Sequence, residues 1–261
     1  YMINYKNLVA FIFLLSMFMV SGCEDNQGGP NTNKFTYDDD ISDIVHSNGN
    51  FYTTNYDLSN NAGDQIDLMV FSLDNNGESV ITNRFSLGLN GQGYIALATD
   101  DSDLFMQSRS TGNLIKTSLA GELGIFKSDS ISTKWVPSGV AYNSENDSLI
   151  FLYRDSHINS RYRLRELSKE LSEVSKRDRY FTLLDIDTTH QGALSIAYNS
   201  PNLYILAWDG TQDVIISMNY ENLSYNSTES LNDSTVVGID VTDESIFISK
   251  REREITKHRD F

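Results

Sequence analysis

The sequence predicts an all-β chain folded as a β-propeller of four-stranded antiparallel blades, with about five blade copies visible. Three observations carry this. A strand, a polar turn and a second strand recur: Ala141-Tyr-Asn-Ser-Glu-Asn-Asp-Ser-Leu-Ile-Phe returns as Ala197-Tyr-Asn-Ser-Pro-Asn-Leu-Tyr-Ile-Leu, and more loosely from Ala96 and from Ile239. The anchors Ala96, Ala141, Ala197 and Ile239 are 45, 56 and 42 residues apart, a spacing that suits one four-stranded unit per repeat. Composition agrees, with only three prolines and short alternating runs of Tyr, Phe, Ile, Ser and Asn, and no sustained 3.6-residue period.

The elements follow in order. A weaker copy at Ile41 to Thr54 (ISDIVHSNGNFYTT) opens the domain. The first four copies each continue into a third strand: Met69 onward, Leu114 onward, Arg163 onward and Val214 onward. Asn76-Gly77 is a hairpin signal because both residue types tolerate positive φ. Arg165 to Lys176 (RELSKELSEVSK) has charges spaced to support a helix, but its place in the repeat assigns it to a hairpin. Fourth, outermost strands are expected at Ile81 to Leu87 and Tyr180 to Leu184. The last copy, ending Glu254-Ile-Thr-Lys-His-Arg-Asp-Phe261, has no fourth strand of its own. Either Lys34 to Tyr37 supplies it from the N-terminus or the chain is cut short. The rival architecture is a two-sheet β-sandwich.

The N-terminus gives an address. Leu8 to Val20 (LVAFIFLLSMFMV) is an apolar run preceded by Lys6, which fits an export signal and is short for a bilayer span. Val20-Ser21-Gly22-Cys23 follows and resembles the lipobox of bacterial lipoproteins, which implies cleavage after residue 22 and acylation of Cys23. A single cysteine has no disulfide partner, and acylation would consume the thiol. Glu24 and Asp25 resemble the surface-export signal of Bacteroidota lipoproteins. Asp25 to Asn33 (DNQGGPNTN) has nothing to bury and is expected to be a flexible tether. The expected organisation is signal peptide 1–22, lipidated Cys and tether 23–34, and propeller 35–261, in an outer-membrane lipoprotein facing the periplasm or the outside.

A net charge of −16 argues against a nucleic-acid partner and against electrostatic adhesion to anionic lipid. Aligning the copies puts Asn55, Arg109, Arg154, Trp208 and Lys250 at one equivalent position, the exit of the second strand. Three cations and an indole there would suit an anionic glycan or carboxylate, held by guanidinium forks and stacked on Trp208; a solvated strand end is the plain alternative. His190, in an inter-blade loop, is a candidate acid or base or a simple hydrogen-bonding residue. Trp135 is expected to plug the space between blades. Asp100-Asp101-Ser102-Asp103 offers oxygen ligands for Ca2+ but lacks the glycine and distal glutamate of an EF-hand loop, so a polar turn is expected. The chain contains no G-x-S-x-G, H-E-x-x-H or phosphate loop. No catalytic residue, metal ligand or cofactor is therefore assigned.

The phrase GVAYNSENDSLIF resembles the blades of NHL-repeat, gluconolactonase-type and SdiA-regulated propellers, over about Ile41 to Phe261. Members of those groups usually have six or more blades. Gluconolactonase-type propellers hold a divalent metal with a glutamate at the start of an innermost strand. The starts here read Gly93-Tyr94, Ser138-Gly139, Gly192-Ala193 and Val237-Gly238, without glutamate. Asp-Ser/Thr pairs at Asp129, Asp147, Asp187 and Asp233 resemble the Bacteroidota O-glycosylation sequence or are plain turns. The expected function is a lipid-anchored binding module for an anionic glycan or an envelope protein, with a propeller hydrolase or lyase as the alternative.

Overall fold

The structure, a computed structural model, describes residues 40–56, 65–90, 94–108, 112–127, 134–158, 160–172, 178–183, 193–250 and 254–260. Blade 1 comprises β1 (Asp40–Ser47), β2 (Asn50–Tyr56), β3 (Gln65–Leu73) and β4 (Ser79–Asn90). Blade 2 comprises β5 (Tyr94–Thr99), β6 (Asp103–Ser108), β7 (Leu114–Ser118) and β8 (Leu123–Lys127). Blade 3 is β9 (Trp135–Asn143), β10 (Ser148–Asp155), β11 (Arg161–Ser168) and β12 (Arg179–Thr182), and blade 4 is β13 (Ala193–Asn199), β14 (Asn202–Trp208), β15 (Asp213–Asn219) and β16 (Tyr225–Ser230). Blade 5, β17 (Val236–Val241), β18 (Ser245–Lys250) and β19 (Ile255–Asp260), has three strands among the described residues.

All pairings are antiparallel, and no helix occurs among the described residues. The innermost strands β1, β5, β9, β13 and β17 adjoin in that order, and β17 returns to β1. The ring is thus closed by five sheets, which rules out the two-sheet sandwich and falls below the six or more blades that the resemblance implied. Lys34 to Tyr37, Cys23 and the residues before it lie outside the described residues.

The blades are held by apolar seams between facing sheets. Leu68, Leu87, Leu97 and Leu104 join blades 1 and 2; Phe105, Leu114, Leu149 and Phe151 join 2 and 3. Leu152, Tyr162, Ile205 and Ile216 join 3 and 4, while Leu206, Ile215, Ile239 and Ile246 join 4 and 5. Blade 5 meets blade 1 through Phe247, edge-on to Phe51 at 4.8 Å. Each such side chain contributes about 1.5–3 kcal/mol on burial.

Seam packing decides the charged stretch from Arg163. Tyr162 and Leu164 alternate into the seam with blade 4, Leu167 enters the seam with blade 2, and β11 runs straight to a turn at Ser168, whose N–H donates to Ser172 O at 2.8 Å. A helix would spread these apolar residues around a cylinder and expose them. At Asn76-Gly77 only Gly77 takes positive φ, +81°. The Asp74 carboxylate completes that turn by accepting from the N–H groups of Asn76 and Glu78 at 2.8 and 2.9 Å.

Candidate functional site

Every innermost strand breaks its pairing at the same height. The register slips between Ile41 and Ile44 in β1, Tyr94 and Ala96 in β5, and Pro137 and Gly139 in β9. It slips again between Ala193 and Ser195 in β13 and between Val236 and Gly238 in β17. A bulge leaves a residue out of the ladder and redirects its neighbours. Five bulges thus stand at matching points on the five innermost strands.

Asp43, in the bulge of β1, gathers donors from three blades. Its carboxyl accepts from its neighbour Ile44 N–H at 3.0 Å, from Leu97 N–H of blade 2 at 3.2 Å and from Ser195 Oγ of blade 4 at 2.6 Å. Ser195 Oγ in turn accepts from Ile239 N–H of blade 5 at 3.4 Å. Gly238 lets this knot form, because a Cβ there would sit 2.8 Å from Asp43 Cα and 2.6 Å from Ser249 Oγ. Asp43 is buried, and burial pushes its carboxyl well above the usual range against the pull of these donors.

A cavity of about 720 Å³ lies toward the end of the channel formed by the hairpins between first and second strands. Its wall contains His46, Tyr142, Tyr198 and Asp240, one from each of four innermost strands, together with Phe247. Asp101, Asp243, Glu244 and Lys257 stand at the rim and are exposed. Four carboxylates against one lysine make the cavity acidic. Asp240 Oδ2 accepts from His46 N–H at 2.5 Å, and burial with the nearby Asp101 charge raises its carboxyl to about 6 despite that bond. Burial lowers His46, which keeps the imidazole neutral at neutral pH, and the ring stacks on Phe247 at 5.7 Å.

The tyrosines are positioned by neighbouring turns. Tyr142 O–H donates to Asp147 at 2.7 Å, and Asp147 shares Lys169 with Asp100 of blade 2, both at 2.9 Å. Tyr198 O–H donates to Glu145 across the next seam at 3.1 Å. Asn199 Nδ2 donates to Thr242 O at 3.0 Å, and Asn48 Nδ2 to Asp101 O at 3.2 Å. The rim is therefore laced from blade to blade.

The stretch Asp100 to Asp103 makes the expected polar turn: Asp100 Oδ1 accepts from the N–H groups of Ser102 and Asp103 at 3.0 and 2.8 Å. Burial opposes its charge, yet the bonds from Ser102 and Lys169 hold Asp100 down at about 2. Among the described residues no three His, Cys, Asp or Glu side chains form a group able to hold a metal ion. At Asp147 the following Ser148 is 1% exposed, so the folded chain does not present it for glycosylation, whereas Asp233 Oδ1 caps its own turn through Ser234 N–H and Thr235 N–H.

The second-strand exits lie at the other end of the blades from the cavity, about 20 Å away for strands of this length. Asn55 and Lys250 pair with Ile41 and Val236, the residues just before their bulges, whereas Arg154 and Trp208 fall one residue beyond the matching Tyr153 and Ala207, so the structure does not align the four in register. Lys250 ion-pairs with Asp233 at 3.3 Å and Glu254 at 3.5 Å. Arg109, His190, Asp129 and Asp187 lie outside the described residues. Trp135 is 8% exposed between blades 2 and 3, as a plug would be.

Solved structures share this architecture. The chain superposes on Myxococcus xanthus glutaminyl cyclase with a TM-score of 0.58 at 14% identity, over 85% of this chain and 90% of that one. A chain of a nidogen/laminin complex gives 0.52 at 14% identity over 77% and 84%, and a luciferin-regenerating enzyme 0.50 at 12% identity over 85% and 78%. What they share is the fold. No protein-family model and no curated protein matches the chain.

Proposed function

We infer that this β-propeller is a cell-envelope binding module, held to the membrane by lipid on Cys23, whose channel cavity receives an organic cation. The acidic cavity carries the inference: four carboxylates surround a space of about 720 Å³ with two tyrosines and Phe247 in its wall. An ammonium or guanidinium group is attracted both by the carboxylates and by aromatic faces. An anionic ligand would meet repulsion there; the anionic glycan expected from the sequence concerned the second-strand exits at the other end of the blades. The apolar run before Cys23 and the lipobox resemblance support the anchor. Labelled palmitate incorporated by the full chain and lost in Cys23→Ala would test it.

Calorimetric titration of the full chain with spermidine, and with uncharged maltotriose as control, tests the ligand class. Spermidine is expected to bind and maltotriose to bind far more weakly. Asp101→Asn with Asp240→Asn should weaken spermidine at least about tenfold, the loss of two close charge pairs. Spermidine affinity unchanged in that double variant would refute the site.

One observation favours a second reading, a hydrolase or lyase using the same cavity. A carboxyl raised to about 6 beside a neutral imidazole is poised for proton transfer near neutral pH. Release of product from a bound ligand would select that reading, and binding without turnover the first.

A further inference from the structure

Three cations, Lys134, Arg161 and Arg163, surround Trp135 in blade 3 of this acidic chain. Strand β11 places Arg161 and Arg163 two residues apart and therefore on one face. The Arg161 guanidinium lies 5.0 Å from the ring centre of Tyr180 and 5.8 Å from that of Trp135. Arg163 lies 5.8 Å from Trp135 and 5.4 Å from Tyr153, and Lys134 Nζ 5.5 Å from Trp135. The two rings of Trp135 and Tyr180 meet at 5.6 Å with a 43° tilt.

The charges are unevenly satisfied. Arg163 pairs with Asp178 at 3.1 Å, and Lys134 reaches the buried Asp155 at 3.9 Å. Arg161 has no carboxylate within ion-pair distance among the described residues and is half-buried. Beside it Tyr180 is 47% exposed and Ile158 is 49% exposed. The result is a guanidinium fork with open donors, fixed over an aromatic pair, next to an apolar ledge. It lies on the opposite side of its own sheet from the blade 4 seam and is not part of the channel cavity.

We propose that this patch binds a carboxylated sugar, with Arg161 donating two parallel hydrogen bonds to the carboxylate and Tyr180 stacking on the pyranose ring. The planar fork matches a carboxylate, and the exposed ring supplies the face that carbohydrate C–H groups prefer. Lys134 adds a flexible charge at the edge. The site is independent of the cation site, and its failure would leave that site standing.

The test is titration of the full chain with trigalacturonate, trigalactose and inorganic phosphate at low salt. Trigalacturonate is expected to bind at least about tenfold more tightly than either control. Arg161→Ala and Tyr180→Ala should each weaken it by about tenfold or more, as loss of a charge-assisted pair or a stacking face would. Arg161→Lys keeps the charge but loses the fork, and should recover only part of the loss. Both positions are partly exposed, so the variants are expected to keep the parent far-UV spectrum and melting transition. Absence of trigalacturonate binding, equal binding of phosphate, or affinity unchanged in both alanine variants would each overturn the proposal.

Discussion

Replacing Asp43 probes the knot on the channel axis. Alanine removes the acceptor of three buried donors, Ile44 N–H, Leu97 N–H and Ser195 O–H. Losing one such partner costs about 1 kcal/mol when some rearrangement is possible, so Asp43→Ala should destabilise by about 3 kcal/mol. For a folded unit spanning Asp38–Phe261 each kcal/mol moves the melting temperature by about 2–4 °C, giving a fall of about 6–12 °C. Asparagine should be milder. Its oxygen can still serve Ile44 and Ser195, while its amide faces the Leu97 N–H, so about one bond and about 2–4 °C are lost. Differential scanning calorimetry of both variants decides the matter. A melting temperature for Asp43→Ala within about 2 °C of the parent, or an asparagine variant as unstable as the alanine one, would refute the knot.

Three further outcomes follow from the same geometry. Gly238→Ala drives a Cβ to 2.8 Å from Asp43 Cα, and urea unfolding should show a loss of about 1–3 kcal/mol from overpacking. Tyr162→Ala empties a fully buried site stacked on Phe181 at 5.5 Å, and should cost about 3–5 kcal/mol in the same assay. Asp240, raised from 3.8 to about 6 in the fold, binds a proton more tightly folded than unfolded. Its contribution to stability is therefore present below about pH 4, is lost as pH rises to about 6, and is flat above. Asp240→Asn should gain stability relative to the parent across that window in denaturant titrations, and equal pH profiles would contradict the assignment.

Much of the ring was legible in the sequence, because blade strands carry their own hydrophobic alternation and turn chemistry. Repeat register placed the third strand at Arg163 correctly against a local charge pattern that favoured a helix, since seam burial of Tyr162 and Leu164 outweighs a few surface charge pairs. The bulges were not legible. They leave the apolar pattern intact and show only as pairing slips, so nothing in the weakest copy, Ile41 to Thr54, singles out Asp43. The cavity was missed for a related reason. Its wall uses Tyr142 and Tyr198 from the very phrase that revealed the repeat, and a repeated phrase reads as structure. The signal that could have found it lies one residue earlier, at the position that is alanine in three blades, Ala98, Ala141 and Ala197, and is Asp240 in blade 5.

The most direct measurement is a crystal of the propeller soaked in spermidine and inspected for difference density in the channel. Density in the cavity with a nitrogen within hydrogen-bond distance of Asp240 or Asp101 is the expected result. A channel without added density under saturating spermidine, or ligand bound only elsewhere on the molecule, would contradict the cation-binding account.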